Sequence, residues 1–231
     1  MTDSSLNLVV LDMAGTTVAD GGLVEQAFST AAEKLGVEPG SADHAAKLRY
    51  VRDTMGESKI TVFRALFGAE DLARAANAHF EQAYGELVAG GLITEIPGAR
   101  AAIERLRSEG RTVVLTTGFA RATQDAILAA LDWHGLADLT LCPADAGRGR
   151  PYPDLVLAAL LRTAAVDDVA RVAVAGDTAY DMRSGTSAGA GLVAGVLTGA
   201  HDEQALRVAG ATHVLPSMTE LPDALAAYEQ S

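Results

Sequence analysis

The chain has 231 residues, enough for one large domain or for a core carrying a smaller inserted one, and its 49% hydrophobic content can bury a sizeable interior. Eighteen basic and thirty acidic side chains give a net charge of −12, which excludes a nucleic-acid partner because no basic stripe remains to neutralise a phosphate backbone. Cys142 stands alone, the polar start (residues 1–7) carries no signal pattern, and no apolar run reaches membrane-spanning length, so a soluble cytoplasmic chain with no membrane partner is expected.

Residues 6–11 (LNLVVL) form the first strand of buried type, stopping at Asp12 and the loop that follows it. Residues 24–35, 42–54, 58–67 and 71–88 then read as helices, with Gly36, Gly68 and Gly90-Gly91 placed to end them. No strand is expected before residue 112. A helical block of that size predicts a separate unit over residues 21–96, joined to the rest near 18–22 and 96–98. Beyond it, strands at 112–116, 139–142, 171–175, 192–196 and 212–215 alternate with helices at 99–108, 121–133, 153–163, 181–188, 202–208 and 219–228. Such alternation predicts an α/β fold, a Rossmann-like parallel-sheet core formed by residues 1–20 and 97–231. The active site of such a sheet lies at the carboxyl ends of its strands, where the inserted α-helical cap domain can exclude water.

Four segments fall at those ends: Asp12-Met13-Ala14-Gly15-Thr16-Thr17, Thr116-Thr117-Gly118, Gly149-Arg150-Pro151-Tyr152-Pro153, and Gly176-Asp177-Thr178-Ala179-Tyr180-Asp181. Singly, each is an ordinary turn or helix cap. Jointly they make a chemical set. Asp12 and Asp177, brought together, would repel unless a hard cation such as Mg²⁺ lay between them on oxygen ligands. Thr116 or Thr117, amides near Gly15 and Gly118, and the Arg150 guanidinium can bind phosphoryl oxygens. Asp12 can then attack phosphorus to give an aspartyl-phosphate that water hydrolyses.

This pattern resembles the haloacid dehalogenase superfamily over essentially the whole chain, and within it the branch of phosphonoacetaldehyde hydrolase (phosphonatase) and its relatives. Common phosphatases of the superfamily carry an acid two residues after the nucleophile, where this chain has Ala14. The phosphonatase branch reads D-x-A-G-T-T there, has Arg in G-R-P-Y-P, and has G-D-T-x-x-D-M in the fourth segment, all matched here. Its further signature, M-G-x-x-K, is matched by Met55-Gly56-Glu57-Ser58-Lys59. The resemblance implies that Lys59 forms a Schiff base with a substrate carbonyl, and that an enamine leaves when the C–P bond breaks, without the acid missing at Ala14. It implies Asp12 and Lys59 as catalytic residues, and substrate contacts from Gly15, Thr16, Met55, Thr116, Thr117, Gly118 and Arg150. It further implies Mg²⁺ on Asp12, the Ala14 carbonyl and Asp177, with Asp181 supporting. A homodimer through the cap and a small phosphonate or phosphate substrate complete the expectation. Ser58 reads as an N-cap, placing Lys59 in a first helical turn that lowers its pKa, with Glu57 opposing.

Three departures are visible. Val62 and Gly22 stand where the branch has a His and a Cys that are candidates for proton handling around the imine, and Phe119 replaces a Tyr. They leave the 2-oxoalkylphosphonate unnamed, with a phosphomonoesterase or a catalytically silent phosphate-binding relative as alternatives. A metal-free dehalogenase fits Asp177, Asp181 and Arg150 poorly. The five histidines show no ligand spacing, and Cys142 reads as a small apolar residue near a strand end.

Overall fold

The computed structural model describes residues 5–230, so part of the polar start, residues 1–4, lies outside the described residues. Strand β1 (Leu8–Asp12) is buried throughout, as a strand covered on both faces must be. Its side chains alternate between two layers: Val9 and Leu11 pack with Ile103 and Leu106, and Leu8 and Val10 with Leu155 and Val156. After β1 the chain passes through β2 (Val18–Ala19) into four helices, α1 (Leu23–Lys34), α2 (Ala42–Asp53), α3 (Lys59–Phe67) and α4 (Glu70–Ala89), and returns through β3 (Thr94–Glu95). It continues as α5 (Ala99–Ser108), β4 (Thr112–Thr116), α6 (Arg121–Ala130), β5 (Leu139–Leu141), α7 (Pro143–Ala146) and α8 (Asp154–Thr163). The last elements are β6 (Val172–Gly176), α9 (Ala179–Ala188), β7 (Leu192–Val196), α10 (Glu203–Val208), β8 (His213–Leu215) and α11 (Leu221–Glu229).

Six strands form one sheet in the order β5-β4-β1-β6-β7-β8, every pair parallel. The chain leaves β1 toward β4 on one side and β6 on the other, which makes the carboxyl end of β1 the crevice where such sheets bind ligands. Asp12 pairs in register with Thr116, and Asp177 follows directly on Gly176 at the end of β6. Register alone therefore gathers three of the four segments.

The helices between β2 and β3 pack through aromatic rings. Phe28 stacks on Phe63 at 6.1 Å, Phe63 meets Phe80 at 5.7 Å, and Phe80 meets Tyr84 at 5.9 Å. Tyr84 reaches Phe119, which follows β4, at 4.6 Å, so the row of rings ties the helical segment to the sheet. Burying each such ring contributes roughly 1.5–3 kcal/mol.

Several boundaries differ from the sequence expectation. The strand expected at 6–11 runs from Leu8 to Asp12, so the carboxylate closes the strand instead of following it. The segment before residue 112 does contain strand: β2 and β3 pair antiparallel, Val18 with Glu95 and Ala19 with Thr94. Strands of two residues are too short to show alternation. The helix expected to reach residue 133 stops at Ala130, because Asp132 takes a positive φ of 53°. The helix expected from 181 starts at Ala179, with Thr178 and Asp181 forming a reciprocal capping box.

Candidate active site

The loop after β1 is a compact turn. Met13 O accepts from Thr16 N at 3.1 Å, Thr17 N at 2.9 Å and Val18 N at 2.8 Å, and the Thr17 hydroxyl donates to Asp12 O at 3.0 Å. This turn holds Asp12 rigidly at the strand end. Arg150 meets it from the loop before α8: Nη2 lies 2.6 Å from Asp12 Oδ1, Nε lies 3.0 Å from Asp181 Oδ1, and Nη2 donates to Thr116 Oγ1 at 3.1 Å. Asp177 accepts from Thr16 Oγ1 at 3.2 Å and from Ala200 N at 2.8 Å. The loop after β7 closes over it, since Thr198 Oγ1 donates to Gly15 O at 2.6 Å and His201 N to Asp177 O at 3.2 Å. A Cβ at Gly199 would lie 1.9 Å from Asp177 Oδ2, so only glycine lets that loop approach.

Asp12, Asp177 and Asp181 are buried, and each offers an oxygen within 4.8 Å of the others. Burial chiefly, helped by the Asp181 charge and opposed by Arg150, pushes the Asp12 carboxyl up to about 6. Burial, with the Asp12 and Asp181 charges, holds Asp177 well above the ordinary carboxylate range. Three carboxylates facing one guanidinium leave an excess of negative charge. Among the described residues the Ala14 carbonyl accepts no hydrogen bond. This all-oxygen donor set fits a hard divalent cation.

Lys59 is the first residue of α3 and is only 8% exposed. Its Nζ lies 5.6 Å from the centre of the Phe119 ring and has no hydrogen-bond or ion-pair partner among the described residues. It shares a cavity of about 500 Å³ with Asp12, Arg150 and Asp177. Burial lowers its pKa, with Asp20 and Asp12 opposing. The expected cap is absent, as the Ser58 hydroxyl makes no capping hydrogen bond. The turn before Lys59 is pressed onto the sheet side of the cavity: Gly56 has φ +91°, and a Cβ there would lie 2.3 Å from Thr178 Oγ1.

Of the residues singled out in the sequence, Asp12, Ala14, Gly15, Met55, Lys59, Thr117, Gly118, Arg150 and Asp177 line the cavity. Thr16 and Thr116 are not among its lining residues; their hydroxyls hold Asp177 and Arg150 respectively. The Thr117 hydroxyl accepts from Phe119 N at 3.2 Å, and the Gly15 amide donates to Val18 O at 2.7 Å. The amides of Ala14 and Gly118 have no acceptor among the described residues. Asp181 sits behind Arg150, its Oδ2 accepting from Thr178 N at 3.0 Å and Thr178 Oγ1 at 2.6 Å.

Sequence reading missed Asp20, Glu81 and the loop of Thr198 to His201. Asp20 opens an Asp-Gly-Gly turn at the joint, a signal that reads as a plain turn. Glu81 lies on α4 beside the buried Phe80 and Tyr84, accepts from Ala120 N at 3.4 Å, and takes a hydrogen bond from the Thr123 hydroxyl at the start of α6.

The sequence pattern of haloacid dehalogenase-like hydrolases matches residues 6–189. The protein called "Probable phosphatase IndB" of Dickeya dadantii is 27% identical over 93% of this chain and 91% of its own length. A phosphonoacetaldehyde hydrolase of Syntrophobacter fumaroxidans is 30% identical over 78% of this chain and 69% of its own. The crystal structure of a phosphonoacetaldehyde hydrolase-like protein from Oleispira antarctica superposes with a TM-score of 0.83 at 23% identity, covering 97% of this chain and 92% of that one. This last likeness is one of fold.

Proposed function

Because this chain belongs to the haloacid dehalogenase-like hydrolases, we propose that it is a Mg²⁺-dependent, phosphonatase-like member that cleaves the C–P bond of a 2-oxoalkylphosphonate. Phosphonoacetaldehyde or an analogue is the substrate, and helices α1 to α4 act as a cap over the site. The observation that carries this reading is the buried, unpaired Lys59 facing the cavity that holds Asp12. A lysine desolvated with no direct ion pair among the described residues is poised to become a free amine, and Ala14 supplies no acid for an ester oxygen.

In this mechanism Arg150 donates to phosphoryl oxygens from Nη1, the nitrogen that Asp12, Asp181 and Thr116 leave free, and the Gly118 amide donates to another. Lys59 condenses with the carbonyl, releasing water. The resulting iminium draws electrons from the C–P bond, Asp12 attacks phosphorus, and the bonding pair leaves with carbon as an enamine. Water then hydrolyses the aspartyl-phosphate, and protonation and hydrolysis of the enamine free Lys59. A Mg²⁺ held by Asp12, the Ala14 carbonyl and Asp177 would offset the crowded carboxylates and withdraw charge from the phosphoryl group. The buried free Cys142 suits a reducing compartment, and no helix of the described residues is long and apolar enough to cross a membrane.

The test is phosphate release from 2-oxoalkylphosphonates and phosphate esters, with Mg²⁺ and after chelation, joined to borohydride trapping. Turnover of a phosphonate, with inactivation by borohydride and an adduct on the Lys59 peptide, is expected. Ester hydrolysis that Lys59→Arg leaves untouched would instead favour a phosphomonoesterase. The similarity to the Dickeya phosphatase over nearly the full length of both chains speaks for that second reading.

A further inference from the structure

An ammonium must lose a proton before its nitrogen can attack a carbonyl, and in this cavity few groups can take it. Glycine and valine occupy positions 22 and 62 and offer no side chain that can accept a proton. Asp12 is bound to Arg150 at 2.6 Å. Glu81 is engaged with the Thr123 hydroxyl and the Ala120 amide on α6. Asp20 remains. It lies in the turn between β2 and α1, half-buried, and lines the cavity with Lys59. Two backbone amides fix its carboxylate, Gly22 N at 3.1 Å from Oδ2 and Val24 N at 3.3 Å from Oδ1. Each oxygen keeps a lone pair for a further partner. Among the anions around Lys59, Asp20 acts on its charge most strongly, ahead of Asp12 and Glu81, with Arg150 opposing. Glu57 also faces the amine.

We propose that Asp20 is the proton carrier for Lys59 during imine formation. This rests on the Schiff-base reading above and adds to it the group that makes the step possible. Asp20 takes one proton from the ammonium, and the freed amine adds to the carbonyl carbon. The carbinolamine nitrogen then carries two protons and the oxygen a negative charge. One nitrogen proton passes to that oxygen, and the proton held by Asp20 follows. Water leaves, the nitrogen lone pair closes the C=N bond, and the iminium retains one proton while Asp20 is again a carboxylate. Burial supports the transfer from both sides, raising the Asp20 carboxyl and lowering the Lys59 ammonium so that their proton affinities converge.

The experiment measures the rate of borohydride-trapped adduct on Lys59 against pH, with phosphonoacetaldehyde and with 2-oxopropylphosphonate. Asp20→Asn should lower the plateau rate by about 100-fold or more, the usual worth of a general acid–base group. Formate should restore much of that rate to Asp20→Ala, which opens space for a small acid. An Asp20→Asn plateau equal to wild type overturns the proposal and leaves the imine reading standing, even if the acid limb moves to lower pH, because loss of a neighbouring negative charge alone does that. A loss in Asp20→Ala that formate does not restore assigns Asp20 to the shape of the turn and also overturns it. Wild-type protein that traps neither carbonyl compound removes the imine reading and this proposal together.

Discussion

Arg150 is held from three sides, by Asp12, Asp181 and Thr116, in an almost fully buried position. A planar fork can serve two carboxylates and still face a phosphoryl group, whereas an ammonium is a point charge. Arg150→Lys should therefore lower kcat/KM by about 100-fold, comparable to removing one preorganised donor; equal kinetics would place Arg150 outside the chemistry. Asp12→Asn should stop turnover and yet raise the thermal midpoint of the metal-free protein at pH 8. At that pH the wild-type carboxyl, pushed up to about 6, is ionised against its environment, and the amide removes one of three crowded negative charges. A variant that keeps more than a tenth of the wild-type rate would remove the covalent mechanism. Asp12, Asp177 and Arg150 were legible because their segments recur together at strand ends, whereas Lys59 stood out only through the family resemblance, an exposed helix lysine being the ordinary reading. The supporting roles of Thr16 and Thr116 were not, because a hydroxyl one residue from a cavity looks the same in sequence as one inside it. Asp20 was invisible for a related reason: only the fold, which lines one cavity with both, makes it a neighbour of Lys59.

Among the elements, the turn of Met55 to Lys59 links the helical segment to the sheet. Its Gly56 touches Thr178 and its Glu57 carbonyl lies against Gly118, so this turn decides where the Lys59 amine points. Alanine at Gly56 would need a positive φ and would collide with the Thr178 hydroxyl. A cost of about 1–3 kcal/mol is expected from such a strained position. In Gly56→Ala, urea unfolding should show that loss, and hydrogen exchange should quicken over residues 55–62 more than in β1. Unchanged exchange there would mean that the turn is not fixed by this contact. Helices α1 to α4 were foreseeable to within a residue or two at each end, because their apolar faces are long and glycines punctuate them. The β2–β3 ribbon was not, since its pairing joins Val18 and Ala19 to Thr94 and Glu95, which are distant in sequence. Pairs that close a long insertion carry no local pattern.

At the scale of the whole molecule, strand order does what the net charge of −12 opposes. It concentrates Asp12, Asp177 and Asp181 at one point of an already acidic chain, with Arg150 and Lys59 among the local cations. The consequence for stability has a definite sign. A carboxyl raised on folding binds protons more tightly in the native state than in the unfolded one. For Asp12 the native chain therefore takes up protons between 3.8 and about 6, and stability falls as pH rises through that window. Asp177, also raised by burial and by the neighbouring carboxylates, adds to that fall. The metal-free protein should thus lose thermal stability from pH 5 to pH 7.5 through these groups. A divalent cation binds the ionised oxygens and competes with their protons. Millimolar Mg²⁺ should raise the midpoint strongly at pH 7.5 and little at pH 5, and chelation should reverse the gain. Asp177→Asn should abolish most of the Mg²⁺ effect and reduce the metal-free pH dependence, because it removes one ligand and one of the two titrating groups. The measurement is a thermal melt at the two pH values, with and without Mg²⁺, for both proteins. A Mg²⁺ shift equal at the two pH values, or one that persists in the Asn variant, would place the cation elsewhere than at the ends of β1 and β6.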